Sequence, residues 1–188
     1  MNLTEYIGKT KPLIIQTIDT YLDQCDCDPI DGNKLMQFAT NGKMFRGSLF
    51  LMTAESYGYT KIKDILSIAA ALEISHSGLL IHDDIIDNDS LRRGKPSIHI
   101  RYDKEPHRAD LENYGKNLAT FLGDTCFFMS CDLILSARSD QKIINKVISV
   151  FSEELLNVCK GQILDYRYGA TEYEPANLEI LEMYRLKT

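Results

Sequence analysis

Tryptophan is absent from the 188 residues, proline occurs five times and glycine eleven. Breakers so sparse, with β-branched alternation so rare, argue against a strand-built chain and for a mostly helical one. No long run of lysine or arginine occurs, and the formal charge of −6 argues against a nucleic-acid partner. The five cysteines, at 25, 27, 126, 131 and 159, make no zinc-like double pair. Cys25-x-Cys27 has no second pair or nearby histidine to complete a metal site, so reduced, partly buried thiols of a cytoplasmic protein are expected. The opening MNLTEYIGKTKP has no apolar h-region, so no signal peptide is expected. The most apolar stretch, 65–81, contains Glu73, His76 and three serines, which suits a buried core helix and not a membrane span. The length suits one domain with a real core.

Along the chain, 10–24 is expected as a first helix, capped by Thr10 with Pro12 in its first turn. Pro29 and Asp31-Gly32 mark 26–32 as a loop, before a short helix at 34–40. Another helix is expected over 48–57, with Leu49, Met52 and Thr53 at core spacing. A central helix over 61–91 should be stopped by Gly94 and Pro96. The polar stretch 96–113 is expected to be irregular. Residues 114–137 form a helix apolar nearly all round, either deeply buried or in a subunit interface. Helices over 140–168 and 177–187 complete the chain. No repeat, low-complexity tract or domain linker is evident.

Chemistry concentrates in EISHSGLLIHDDIIDNDSLRRGKP, residues 73–96. Asp83 and Asp87 are four apart and share a helix face, with Asp84 about 100° to the side. Three carboxylates so close raise one another's pKa unless a cation sits among them. Hard oxygens with room for water suit Mg²⁺ completed by substrate phosphates. Taken alone, such a motif is more often a solvated acidic helix end. Carboxylates toward a helix C-terminus, however, oppose the macrodipole, and these directly follow residues that must be buried. Upstream, Gly42, Lys43 and Arg46 stand where a loop enters a helix, an arrangement suited to anions. His76, seven residues before Asp83, lies on roughly the same face; a hydrogen-bonded core histidine explains it almost as well. For His82 the core reading is the better one. Asp124, among Phe121, Leu122, Phe127 and Phe128, needs a partner or a cation.

The run DDIIDNDSLRRGKPSIH resembles the first aspartate-rich motif and RRGxP segment of the trans-isoprenyl diphosphate synthases, the polyprenyl synthetase family. The resemblance implies that Asp83, Asp84 and Asp87 bind Mg²⁺ ions holding an allylic diphosphate, and that Arg92 and Arg93 contact diphosphate. Gly42-Lys43-x-x-Arg46 resembles the family's GGKxxRP segment, which binds isopentenyl diphosphate, and His76 falls where a family histidine serves that pocket. Asn41 and Gly47 depart from this pattern, replacing a glycine and a proline. Gly123-Asp124 is similar to the family's AGD element, and Gly161-Gln162-x-x-Asp165 to a signature near the diphosphates. MYRLKT looks like the segment whose lysine meets substrate diphosphate, which marks Lys187 and Thr188.

The fold so implied is all-α, an isoprenoid synthase-type helical bundle around a central apolar cavity, incomplete at its C-terminus. Residues 1–188 would then be the N-terminal part of one polyprenyl synthetase domain, since family members continue to a second aspartate-rich motif and no second DDxxD follows here. The implied activity is condensation of isopentenyl diphosphate with an allylic diphosphate into a trans-polyprenyl diphosphate. Gly78 and Leu79, just before the aspartates, carry no aromatic ring. That suggests room for a geranylgeranyl or longer product, floored by Phe127 and Phe128. The partner is expected to be a second copy, or a chain carrying the second motif. Two rivals stand beside this: a binding or regulatory subunit of a heteromeric synthase, and a class I terpene cyclase. The cyclase has no use for Gly42-Lys43-x-x-Arg46.

Overall fold

The computed structural model describes residues 2–108 and 110–187. The chain resolves into two compact units, residues 1–139 and 140–188, and each is taken by itself.

The first unit opens with α1 (Leu3–Gln24), earlier than Pro12 suggests, because Asn2 and Glu5 form a reciprocal capping box. Thr10 is therefore not a cap. It lies buried in mid-helix, its hydroxyl donating to the Tyr6 carbonyl at 2.9 Å and sharing a hydrogen bond with the Ser48 hydroxyl at 2.8 Å. Next, α2 (Pro29–Thr40) also begins earlier than expected: Asp28 caps it, Pro29 takes a first-turn position, and Gly32 is helical. In α3 (Phe45–Ser56) the buried side is Gly47, Ser48 and Leu51, and Leu49 and Thr53 face solvent. Gly47 explains that choice. A Cβ there would lie 2.7 Å from the Ala69 carbonyl, so glycine lets α3 lie against the next helix.

A 3-10 turn (Ile62–Ile65) leads into α4 (Leu66–Ile86), which ends five residues before the expected boundary. Asp87 closes it and Asn88 turns into the left-handed region at φ 56°. Gly94 and Pro96 belong instead to a two-stranded hairpin, β1 (Leu91–Arg92) and β2 (Lys95–Pro96), with Arg92 opposite Lys95. The stretch beyond is not irregular throughout, since α5 (Ile98–Asp103) buries Ile98, His99 and Tyr102. Then comes α6 (Tyr114–Leu135).

Helices α4 and α6 pack on each other as the centre of this unit. Both are long and apolar enough to cross a membrane by length and composition alone. Here they cross at two glycines. A Cβ on Gly78 would lie 2.9 Å from both Cys126 Cβ and the Gly123 carbonyl, and one on Gly123 would lie 2.6 Å from His82 Nε2. Ser130 Oγ reaches across to the Ala71 carbonyl at 3.0 Å. Ile14 and Ile18 of α1, Leu51 of α3, Ile74 and Ile81 of α4 and Leu133 of α6 are essentially sealed from water. Each such side chain is worth roughly 1.5–3 kcal/mol of burial, so this apolar centre outweighs peripheral contacts such as the Tyr21–Asp132 hydrogen bond. One face of α6 stays uncovered, with Phe121 66% and Phe128 76% exposed. Phe128 thus lies on that open face and not in the packed centre of this unit.

The second unit is α7 (Gln141–Ala170), capped by Asp140, with α8 (Asn177–Lys187) packed along it. Met183 is the buried anchor. Gly161 admits the end of α8, since a Cβ there would meet the Lys187 backbone nitrogen at 2.6 Å.

Candidate functional site

The last turn of α4 carries Asp83 and Asp84, with Asp87 at its cap, and the three behave differently. Asp84 points inward, its side chain 1% exposed, while Asp87 is exposed and Asp83 partly so. Arg92, brought back by the hairpin, places Nε 2.6 Å from Asp84 Oδ1 and Nη2 3.4 Å from Asp83 Oδ2. Burial raises the pKa of Asp84, and the Arg92 guanidinium works against that shift. The second carboxylate oxygen, Oδ2, is buried without a hydrogen-bond partner. Among the described residues, no three of histidine, cysteine, aspartate and glutamate converge into a metal cluster. Asp83 and Asp87 remain as two hard-oxygen groups on one helix face at the rim. That donor set fits Mg²⁺, which keeps several waters and takes one or two carboxylates beside substrate phosphates.

The hairpin also decides where Arg93 goes. Arg93 and Gly94 adopt φ of 53° and 75°, successive left-handed residues of the kind that close a two-residue turn. Arg92 is thereby turned onto the aspartates. Arg93 instead reaches the 41–46 loop, where its Nη1 would be 2.9 Å from any Cβ on Gly42. Gly42 leaves room for that approach, with the Ala39 carbonyl 3.2 Å from the same point.

On this second side lies a cavity of about 470 Å³ lined by Gly42, Lys43, Arg46, Glu73, His76 and Arg93. Five of these six are residues singled out from the sequence. The sixth, Glu73, changes how the cavity works. Its Oε1 accepts from the Gly47 N–H at 2.8 Å, so a buried carboxylate of α4 caps the start of α3. Burial raises the pKa of Glu73, opposed by the Gly47 amide and by Arg46 and Arg93. With Glu73 on that backbone donor, attraction for an anion falls to the side chains of Lys43, Arg46 and Arg93. The Gly47 departure also gains a reason, since a proline there would have no N–H to give Glu73. His76 is pushed down to about 4 by burial first and then by Arg46, Arg93 and Arg92. It is a neutral hydrogen-bonding group at neutral pH, not a further cation.

Lys11 joins the site without a local sequence signal, whereas His82 directly precedes the aspartates in sequence. Lys11 of α1 donates from Nζ to the Gly42 carbonyl at 2.9 Å and ties the loop to the first helix. His82 sits 3.1 Å from Asp124 Oδ1 and stacks on Phe127 with centroids 5.8 Å apart. Asp124 is thus half exposed and paired, not a buried charge awaiting a cation. Gly78 opens no space near them, because α6 fills it. In the second unit Lys187 pairs with Asp165, and Gln162 lies one residue beyond the close contact at Gly161. Thr188 lies outside the described residues.

Residues 33–188 match the polyprenyl synthetase family model. The chain belongs to the polyprenyl synthetase family. Among its polyprenyl synthetase relatives, a short chain isoprenyl diphosphate synthase of Methanocaldococcus jannaschii is 35% identical over 181 residues, which cover 93% of this chain and 49% of that one. A farnesyl diphosphate synthase of Bacillus subtilis is 29% identical, covering 96% of this chain and 58% of its own. Among solved structures, a geranylgeranyl pyrophosphate synthetase from Pyrococcus horikoshii superposes with a TM-score of 0.81 at 26% identity, covering 99% of this chain and 53% of that chain. The chain spans about half the length of the polyprenyl synthetases it matches. Its all-α architecture is that of the isoprenoid synthases.

Proposed function

We propose that this chain supplies the diphosphate-binding half of a prenyltransferase that joins isopentenyl diphosphate to an allylic diphosphate, giving a trans-polyprenyl diphosphate of geranylgeranyl length or more. One observation carries this reading. Of two adjacent arginines, Arg92 pairs with Asp84 and Asp83, whereas only Arg93 lines the Lys43–Arg46–His76 cavity, and both line a smaller hollow with Lys95 and Arg101. A transferase with two diphosphate substrates needs two such places; an enzyme that ionises one substrate needs only the first.

Asp83 and Asp87 would hold Mg²⁺, with Asp84 acting through Arg92. When bound, the metal supplies Lewis-acid neutralisation of the departing diphosphate. Asp84 fixes Arg92 at that rim, so positive charge is already placed where negative charge develops. Lys43, Arg46 and Arg93 orient the second diphosphate, and neutral His76 adds a hydrogen bond without competing for a proton. Apolar surface of α4, with the His82–Phe127 stack, keeps water from the reacting carbon. Leu79, aliphatic and half-buried, is where this chain leaves room for a longer product. Gln162 and Lys187 of the second unit are assigned to diphosphate on the family resemblance, as is Thr188.

The test is calorimetric binding of isopentenyl diphosphate in EDTA. Replacing Arg46 with methionine removes a charged hydrogen-bond donor worth ~1.5–3 kcal/mol, so affinity is expected to fall roughly 10- to 100-fold. Unchanged affinity would place this substrate elsewhere. A symmetric dimer belongs to the same reading, with the uncovered Phe121 and Phe128 face of α6 meeting a second copy. A monomer by light scattering at high micromolar concentration would remove that part.

A further inference from the structure

The link between α1 and α2 carries two thiols that the reaction above leaves unused. Cys25 closes α1 in an extended conformation, φ −75° and ψ 145°. Being two apart in sequence, Cys25 and Cys27 cannot have Cα atoms more than roughly 7 Å apart, and a disulfide spans ~4.4–6.8 Å. The side chains have converged. Cys25 and Cys27 Sγ lie 2.7 Å apart, and both point at the Leu22 carbonyl, at 3.3 Å and 3.7 Å. Each is half-buried and opens onto its own hollow. Cys25 lines a groove of about 560 Å³ beside Tyr21 and Asp132, and Cys27 a cavity of about 290 Å³ beside Asp31 and Tyr102. No third ligand completes a metal cluster around them among the described residues.

We propose that Cys25 and Cys27 form a reversible dithiol–disulfide modification site, oxidised by a small-molecule disulfide. The Cys25 sulfur, as thiolate, attacks one sulfur of the reagent, and the other sulfur leaves as a thiolate that takes up the proton. Cys27 then gives up its proton and attacks the Cys25 sulfur of this mixed disulfide, expelling the second reagent thiol. Two protein thiols become one disulfide while one reagent disulfide becomes two thiols, so electrons and protons balance. Burial and the neighbouring Cys25 push the Cys27 thiol up to about 11, which disfavours Cys27 as the first attacking group. Two of the remaining three cysteines are internal controls. Burial pushes Cys126 up to about 12 and leaves it inert, whereas exposed Cys159 has no partner thiol beside it.

The experiment treats the purified full chain with glutathione disulfide, blocks residual thiols and maps tryptic peptides. Lys11 precedes Pro12, so one peptide, residues 10–34, contains both cysteines and no other. It is expected to weigh two hydrogen atoms less, to carry no glutathione and to recover its mass with dithiothreitol. In the same digest Cys159 should retain a glutathione adduct. A Cys25→Ser chain should show a lasting adduct on Cys27, or none, and never the lighter peptide. If the wild-type peptide keeps both thiols, or carries stable glutathione on either cysteine, the proposal is wrong.

Discussion

Replacement of Asp83 by alanine is expected to abolish the advantage that Mg²⁺ gives to binding of a bisphosphonate or an allylic diphosphate. In the unaltered chain, binding in Mg²⁺ should greatly exceed binding in EDTA, because under the proposed function two rim carboxylates and the ligand's phosphates would share the metal. With Asp83 gone, Asp87 alone remains on that face and the two conditions should converge. Asp84→Asn should act by another route. Its partner Arg92 loses the buried carboxylate it holds and keeps only the longer contacts to Asp83 and Asp89, so the cost should be a fraction of the about 3–5 kcal/mol for breaking a fully buried pair. Thermal stability should therefore fall with Asp84→Asn and change little with Asp83→Ala. Binding by the unaltered chain that is equal in Mg²⁺ and EDTA would end the metal assignment.

Elongation by residues 1–188 alone is expected to be slight or absent. The aspartates would hold metal from one wall, and these residues contain no second aspartate-rich motif. Losing one positioned electrostatic group in a transition-state site commonly costs ~100-fold or more in rate, and an absent opposite wall removes several together. Incorporation of radiolabelled isopentenyl diphosphate into extractable polyprenyl product should stay near background. Adding a polypeptide that carries the second motif should raise it. Robust turnover without that addition would mean that one wall suffices, and the electrostatic account would have to be rebuilt.

Long, strongly patterned segments were legible in the sequence. The helices over 114–135, 141–170 and 177–187 lie within two residues of the expected ends. What escaped has specific causes. Pro12 was read as a helix start, but a proline can lie inside a helix whose true cap is ten residues earlier, at Asn2. Asp31-Gly32 suggested a loop and masked the stronger signal beside it, Asp28 before Pro29. The hairpin's strands are two residues each, and its turn forces an arginine, not the usual asparagine or glycine, into left-handed backbone. In the site, motifs named residues but not their orientations. Glu73 and Gly47 are 26 apart, Lys11 and Gly42 31 apart, and no local pattern encodes such pairings. The inward turn of Asp84 was hidden for the same reason, because it depends on where the hairpin returns Arg92.

The Arg92 clamp has a bearing on how such a protein lives with a fluctuating metal supply. Clustered carboxylates ordinarily make folding hostage to an ion, as in small domains that unfold when chelated. Here the aspartates bring a counter-ion encoded in the same polypeptide, nine residues or fewer away. The chain can therefore be made, folded and stored before any divalent cation arrives. Under the proposed function, metal would enter with its substrate as a reactant does, and its concentration would govern diphosphate binding without governing the survival of the protein.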